Sequence, residues 1–118
     1  MTKKIMIVDD EADIRKSIKK VLESEGYKVV TAMTADDCAR KVVTEEPDLI
    51  VMDVMMPGTP PKEILPQISD YRVVFLSIVR KEDAKKEGLL EYKNVVDYIQ
   101  KPFDIKKLAA RVKKILGE

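Results

Sequence analysis

The chain has no histidine, no tryptophan, one cysteine and only four glycines among its 118 residues. Without histidine, these residues hold no Ser-His-Asp triad, no imidazole metal ligand and no phosphohistidine. A single cysteine, Cys38, excludes an intrachain disulfide framework and a cysteine-rich zinc site. Nothing beside Cys38 in sequence argues for a lowered thiol pKa, so it reads as a passive helix residue. Long apolar runs are also missing. Ile5-Met6-Ile7-Val8 ends at once in Asp9, too short for a signal-peptide core or for the ~20-residue span of a membrane helix. There is little excess charge, with 22 basic against 21 acidic residues and a formal net of +1. A polybasic binder of nucleic acid or of membranes is therefore disfavoured. A soluble cytoplasmic protein is expected, whose chemistry must come from carboxylates, hydroxyls, lysines or a borrowed cofactor.

What is present is a core and a rhythm. Apolar residues make up 45% and charged residues 36%, which supports a packed core rather than disorder. The length suits one domain over residues 1–118, with no room for an attached output domain. Short β-rich runs at 5–8, 28–32, 48–52, 73–77 and 95–99 alternate with helical stretches. Ile14, Ile18, Val21 and Leu22 make one helical face over about 11–25, and Gly26 stops it. Thr34 is placed to cap a second helix, with Asp37 three residues on. A short helix is expected over 62–68 behind Pro61, another over 82–90, and a clear amphipathic one over 104–116. Such alternation implies an α/β fold, a parallel sheet covered by helices on both faces. Ligands of such sheets sit beyond the carboxyl ends of the strands.

Those ends carry chemistry. The first strand runs into Asp9-Asp10, the third into Asp53 and the fourth into Ser77, while Lys101-Pro102 follows the fifth. Each alone would be an ordinary turn or cap residue; together they place three carboxylates, a hydroxyl and an ammonium on one rim. Two carboxylates ~4 Å apart repel by ~4 kcal/mol at an effective dielectric of ~20. A divalent cation relieves that repulsion, and oxygen-only ligands favour Mg²⁺ over zinc or copper. A carboxylate can also attack a phosphoryl group and become an acyl phosphate, with Lys101 and Ser77 at the phosphoryl oxygens.

The segments Ile5-Met6-Ile7-Val8-Asp9-Asp10-Glu11, Asp48 through Gly58, Leu76-Ser77 and Asp97-Tyr98-Ile99-Gln100-Lys101-Pro102-Phe103, in this order and spacing, resemble the receiver domain of two-component response regulators. The resemblance covers essentially the whole chain and is similar to single-domain chemotaxis-type regulators. It implies a flavodoxin-like, doubly wound, five-stranded parallel sheet in the order 2-1-3-4-5 with five helices. It implies that Asp53 is the phosphoacceptor, that Asp9 and Asp10 hold Mg²⁺ with Asp10 the direct ligand, and that the backbone carbonyl of Met55 completes the metal site. Ser77 then matches the switch hydroxyl, Tyr98 the switch aromatic and Lys101 the site lysine, with a cis bond to Pro102.

The implied function is a phosphorylation-activated receiver. A histidine kinase or histidine phosphotransfer protein on another chain supplies the phosphoryl group. A partner meets the face made by the fourth helix, fifth strand and fifth helix, and the unit is a monomer or a weak phosphorylation-dependent dimer that touches neither nucleic acid nor membrane. It is a regulatory domain, not a turnover enzyme. Three departures qualify the match: Pro60-Pro61 in place of the usual Asp-Gly, the bulky Ile78 after the switch hydroxyl, and Glu91-Tyr92-Lys93-Asn94 before the fifth strand in place of Gly-Ala. The first two motivate an alternative, a degenerate receiver that binds partners without phosphorylation. A Mg²⁺-dependent phosphohydrolase with an aspartyl nucleophile is disfavoured, because Met55 stands where its acid/base Asp would be. The last stretch is basic, with six Lys/Arg over 101–118 against Asp104 and Glu118, and reads as a solvated helix face with cations near its carboxyl end.

Overall fold

Alternate residues of the first strand, β1 (Lys4–Val8), face opposite sides of a sheet: Ile5 and Ile7 one way, Met6 and Val8 the other, and none is more than 1% exposed. A strand buried on both faces has to be apolar throughout, which is why these runs show no alternation. The computed structural model describes residues 2–117. Beside β1 lie β2 (Lys28–Ala32), β3 (Leu49–Met52), β4 (Val73–Ser77) and β5 (Val95–Gln100). The sheet is wholly parallel in the order β2-β1-β3-β4-β5, the flavodoxin-like arrangement expected. Val73 pairs with Val95 but Val74 pairs with Asp97, so Val96 bulges from the edge strand and is 42% exposed.

Five helices cover the sheet. α1 (Ala12–Ser24) and α5 (Ile105–Ile115) lay Ile18, Leu22, Leu108 and Val112 over Ile5, Ile7, Leu49, Val51 and Val74. On the other face α2 (Ala35–Glu45), α3 (Pro61–Ile64) and α4 (Lys81–Lys86) cover Met6, Val8, Ile50, Met52 and Phe75. Truncating one of these side chains, Leu22→Ala for instance, costs ~2–5 kcal/mol in lost burial and cavity. Cys38 belongs to this second core, and burial, helped by the charge of Asp37, pushes its thiol up to about 12. It is a packing residue, inert at neutral pH.

Local chemistry sets the helix ends. Thr34 accepts from the Asp37 N–H at 3.0 Å, while Asp37 reaches back to the Met33 N–H at 3.2 Å, one residue beyond the usual capping-box return. The helix expected over 62–68 divides into α3 and a 3₁₀ turn at Leu65–Ile68. Pro66 has no N–H to donate to the Lys62 carbonyl, and that carbonyl accepts from the Tyr92 hydroxyl instead, at 3.4 Å. The helix expected over 82–90 ends earlier. Gly88, at φ +81°, donates to the Lys85 carbonyl and Leu89 to that of Ala84, a left-handed stop that glycine adopts at least cost. Asn94, in the segment that departs from the family pattern, donates to the carbonyls of Ile68 and Tyr71 and pins the approach to β5. No helix among the described residues is long and apolar enough to cross a membrane.

Candidate functional site

The sheet ladder continues past the strand ends and places the acidic groups. The Asp53 N–H donates to the Val8 carbonyl at 3.0 Å, and the Asp9 N–H to that of Ala32 at 3.3 Å. Adjacent strands thus deliver two carboxylates side by side, at 2% and 6% exposure for Asp9 and Asp53. Asp10, next in the chain, is exposed. One carboxylate oxygen from each of Asp9, Asp10 and Asp53 lies within 4.8 Å of the others.

Lys101 answers two of these charges. Its N–H donates to the Ser77 carbonyl at 2.8 Å, which ties it to the end of β4. Its ammonium then lies 3.1 Å from Asp9 Oδ2 and 3.1 Å from Asp53 Oδ2. Burial works to lower the pKa of this ammonium, but the hydrogen bonds and charges of Asp53 and Asp9 outweigh it and leave it above its ordinary value. The bond from Lys101 to Pro102 is cis. Three carboxylates against one ammonium leave the rim at net −2, and the donors are all hard oxygens, which suits Mg²⁺ rather than a softer metal.

Each buried carboxylate is also oriented by backbone. Asp53 Oδ1 accepts from the Met55 N–H at 3.0 Å while Oδ2 takes Lys101, so both oxygens are held. Asp9 Oδ1 accepts from the Glu11 N–H at 2.9 Å and so serves the start of α1. Of the two adjacent acids it is thus Asp9 whose carboxylate bonds at the entry to α1, while Asp10 turns outward. The Met55 side chain is 57% exposed and stands clear of the cluster's interior.

Ser77 and Tyr98 form a second group, behind the first. Ser77 is fully buried, and its Oγ accepts from the Val79 N–H at 3.3 Å; among the described residues no hydrogen bond joins it to Asp53. Tyr98 is 4% exposed, its ring tilted 57° against Phe75 with centroids 6.1 Å apart, and its hydroxyl donates to the Val79 carbonyl. Burial raises the pKa of this phenol; a hydrogen bond from Ser77 opposes that, and the charges of Asp53 and Asp83 add to it. Val79 therefore links the two side chains, one through its N–H and one through its carbonyl.

The two departures nearest the site are accommodated. Ile78 is 65% exposed, directed into solvent rather than packed over Asp53. Pro61 takes the first position of α3, where a missing N–H costs no helical bond. Sequence reasoning overlooked Arg15, whose Nη1 donates to the Asp9 carbonyl at 2.5 Å. Its place one turn into α1, four residues after Glu11, is the only signal that could have found it.

The sequence model described as the response regulator receiver domain matches residues 5–113. The alkaline phosphatase synthesis transcriptional regulatory protein PhoP of Bacillus subtilis is 38% identical over 118 residues, covering 98% of this chain and 49% of PhoP. The phosphate regulon transcriptional regulatory protein PhoB of Pseudomonas aeruginosa is 38% identical over 120 residues, covering 97% of this chain and 52% of PhoB. The chain thus spans about half the length of these relatives. Among solved structures, a response regulator from Thermotoga maritima matches with a TM-score of 0.83 at 28% identity, each chain covered over 100% of its length. The response regulator TrrA of the same organism, in complex with Mg²⁺–BeF, matches with a TM-score of 0.80 at 29% identity, covering 97% of this chain and 99% of that one.

Proposed function

The chain belongs to the response regulator receiver domain family of two-component signalling, and from that premise we propose that it accepts a phosphoryl group on Asp53 with Mg²⁺ and answers by changing a partner-binding face. One observation carries the reading. A carboxylate held through both oxygens, by the Met55 N–H and by Lys101, lies within reach of two further carboxylates at the end of a central strand.

Asp9, Asp10, Asp53 and the backbone carbonyl of Met55 would hold the cation. When bound, Mg²⁺ offsets the charge that accumulates on the carboxylates and the phosphoryl oxygens. The rest is work for this chain's own groups. An Asp53 oxygen attacks phosphorus; the new P–O bond forms as the donor's P–N bond breaks, and the imidazole leaves with its electron pair. Lys101, charged and largely shielded from solvent, is placed to attract the phosphoryl oxygens. The Ser77 hydroxyl exchanges the Val79 N–H for a phosphoryl oxygen. Because Val79 also accepts from Tyr98, that exchange reaches β5 and α4. Ser77 and Tyr98 thus couple the site to the face made by α4, β5 and α5.

These residues contain no histidine, so the donating phosphohistidine lies outside them, on a histidine kinase or a histidine phosphotransfer protein. The proposed setting is the cytoplasm, the proposed state a monomer or a weak phosphorylation-dependent dimer, and the proposed output a protein contact rather than direct binding of nucleic acid. Regulation is favoured over turnover, since Met55 offers no acid/base group two residues after Asp53. The solvent-directed Ile78 and the helical fit of Pro61 weaken the case for a degenerate receiver. Thermal melting with Mg²⁺ and beryllofluoride, a phosphoryl mimic, tests the reading. Wild type should gain clearly more stability from the two together than from Mg²⁺ alone, and beryllofluoride should add nothing to Asp53→Ala; an equal beryllofluoride increment in the two proteins would refute it.

A further inference from the structure

The loop that leaves Asp53 is held at both ends. At its start the Met55 N–H donates to Asp53 Oδ1 at 3.0 Å. At its far end Thr59 donates twice to Asp36, from Oγ1 to Oδ1 at 2.7 Å and from its N–H to Oδ2 at 3.3 Å. Asp36 lies in the first turn of α2, 23 residues from Thr59 in sequence and outside the acidic cluster. The helix does not use it as a cap, since Thr34 and Asp37 fill that role.

Three further observations mark the contact as built. The Thr59 hydroxyl first, then its N–H and the charge of Arg40, hold the Asp36 carboxyl below its ordinary value against the effect of burial, so at neutral pH it is an ionised acceptor. Gly58 has φ +97°, and a Cβ there would sit 3.2 Å from Asp36 Oδ2, so a side chain would crowd the carboxylate the loop is bonded to. Pro57, Pro60 and Pro61 restrict the loop backbone around Gly58 and Thr59. A stiff loop passes a displacement at Thr59 along to Met55 instead of absorbing it locally.

We infer that Asp36 is a positioning residue for the Asp53 site: by anchoring Thr59 across from α2, it fixes where the Met55 backbone stands, and with it the N–H on Asp53 and the carbonyl offered to the cation. The inference deepens, and rests on, the reading of Asp53 as a phosphoacceptor that works with Mg²⁺. Asp36 touches neither the cation nor the phosphoryl group. It acts through the four peptide units from Thr59 back to Met55, and sets the affinity of a site it does not line.

The test uses ¹⁵N-labelled wild type, Asp36→Ala, Thr59→Val and Thr59→Ser, with melting curves to establish folding. Thr59→Val leaves α2 untouched, so it serves if Asp36→Ala does not fold. The first readout is the Met55 amide, its resonance position and hydrogen-exchange rate without metal. The second is the Mg²⁺ dissociation constant. Asp36→Ala and Thr59→Val should each move the Met55 resonance, speed its exchange and weaken Mg²⁺ binding by about 10-fold, the low end of what supporting hydrogen bonds contribute around a metal's ligands. The double variant should be no worse than Asp36→Ala alone, because that substitution already removes both bonds whereas Thr59→Val removes only the one from the hydroxyl, and Thr59→Ser should restore wild-type behaviour. A Met55 amide that stays in place while the Thr59 amide moves overturns the inference. Wild type that binds no Mg²⁺ overturns the reading of the Asp53 site instead, and the metal-free Met55 amide still decides the role of Asp36.

Discussion

Lys101 Nζ lies 3.1 Å from Asp53 Oδ2, a contact between residues 48 positions apart in the chain. The same ammonium lies 3.1 Å from Asp9 Oδ2. Parallel strand order makes this possible: β1 and β3 are neighbours and bring the two carboxylates together, and the tie from the Lys101 N–H to the Ser77 carbonyl aims the lysine back across β4. One cation balancing two buried anions is a position from which an incoming phosphoryl group gains attraction without new charge being brought in.

Replacing that cation exposes its structural share. Lys101→Met leaves Asp9 and Asp53 buried without a counter-ion, and the metal-free protein should lose about 3 kcal/mol, the scale of breaking one side of a buried pair. Added Mg²⁺ should recover part of the loss through linkage, more than it stabilises wild type. Urea unfolding with and without Mg²⁺ measures both effects, and an unchanged midpoint in the metal-free variant would rule out the ion-pair role.

Asp10 is expected to behave in the opposite sense. It is exposed and adds a third negative charge beside two that share one lysine. Asp10→Asn should therefore stabilise the metal-free protein slightly, by about 0.5 kcal/mol given solvent screening, while reducing the rise in melting temperature on adding Mg²⁺. If the variant responds to Mg²⁺ as wild type does, Asp10 is not a ligand.

Tyr98→Phe separates packing from signalling. The ring contact with Phe75 survives and the bond to the Val79 carbonyl is lost, so stability should fall by about 1 kcal/mol. Phosphoryl uptake by Asp53 should persist, while the amide changes that phosphorylation induces in β5 and α4 shrink. Full-sized changes in the variant would remove Tyr98 from the coupling route.

The contact between Asp36 and Thr59 has a definite pH signature. The folded-state pKa of Asp36 is lowered from 3.8, chiefly by the Thr59 hydroxyl. A lowered carboxyl contributes its stabilisation fully above the unfolded value and loses it as pH falls through the folded one. The Thr59 amide resonance should thus hold constant from neutral pH to about pH 4 and move only below that. Movement near pH 5–6 would contradict the assigned contact.

The parts of this molecule legible in sequence are those the backbone dictates. Runs such as Val73 to Ser77, apolar because both faces are buried, coincide with β4, and the residues just past the strands, Asp9, Asp10, Asp53 and Lys101, do meet on one rim. The doubly wound order followed from the family resemblance. Elements decided by a single proline or glycine were misjudged in extent: Pro66 divides the segment after Pro61, and Gly88 ends α4 early. Contacts between a side chain and distant backbone stayed invisible, because no periodicity marks them. Arg15 on the Asp9 carbonyl, Tyr92 on that of Lys62 and Asp36 on Thr59 are of this kind. They depend on which loops the finished sheet brings together.

Every role assigned to the rim depends on Asp53 taking a phosphoryl group with Mg²⁺. Intact mass after incubation with acetyl phosphate tests it most directly, with and without Mg²⁺, on wild type and Asp53→Ala. Wild type should gain the mass of one phosphoryl group when Mg²⁺ is present, and Asp53→Ala should gain nothing. No adduct in wild type, or an equal adduct in Asp53→Ala, would contradict the account.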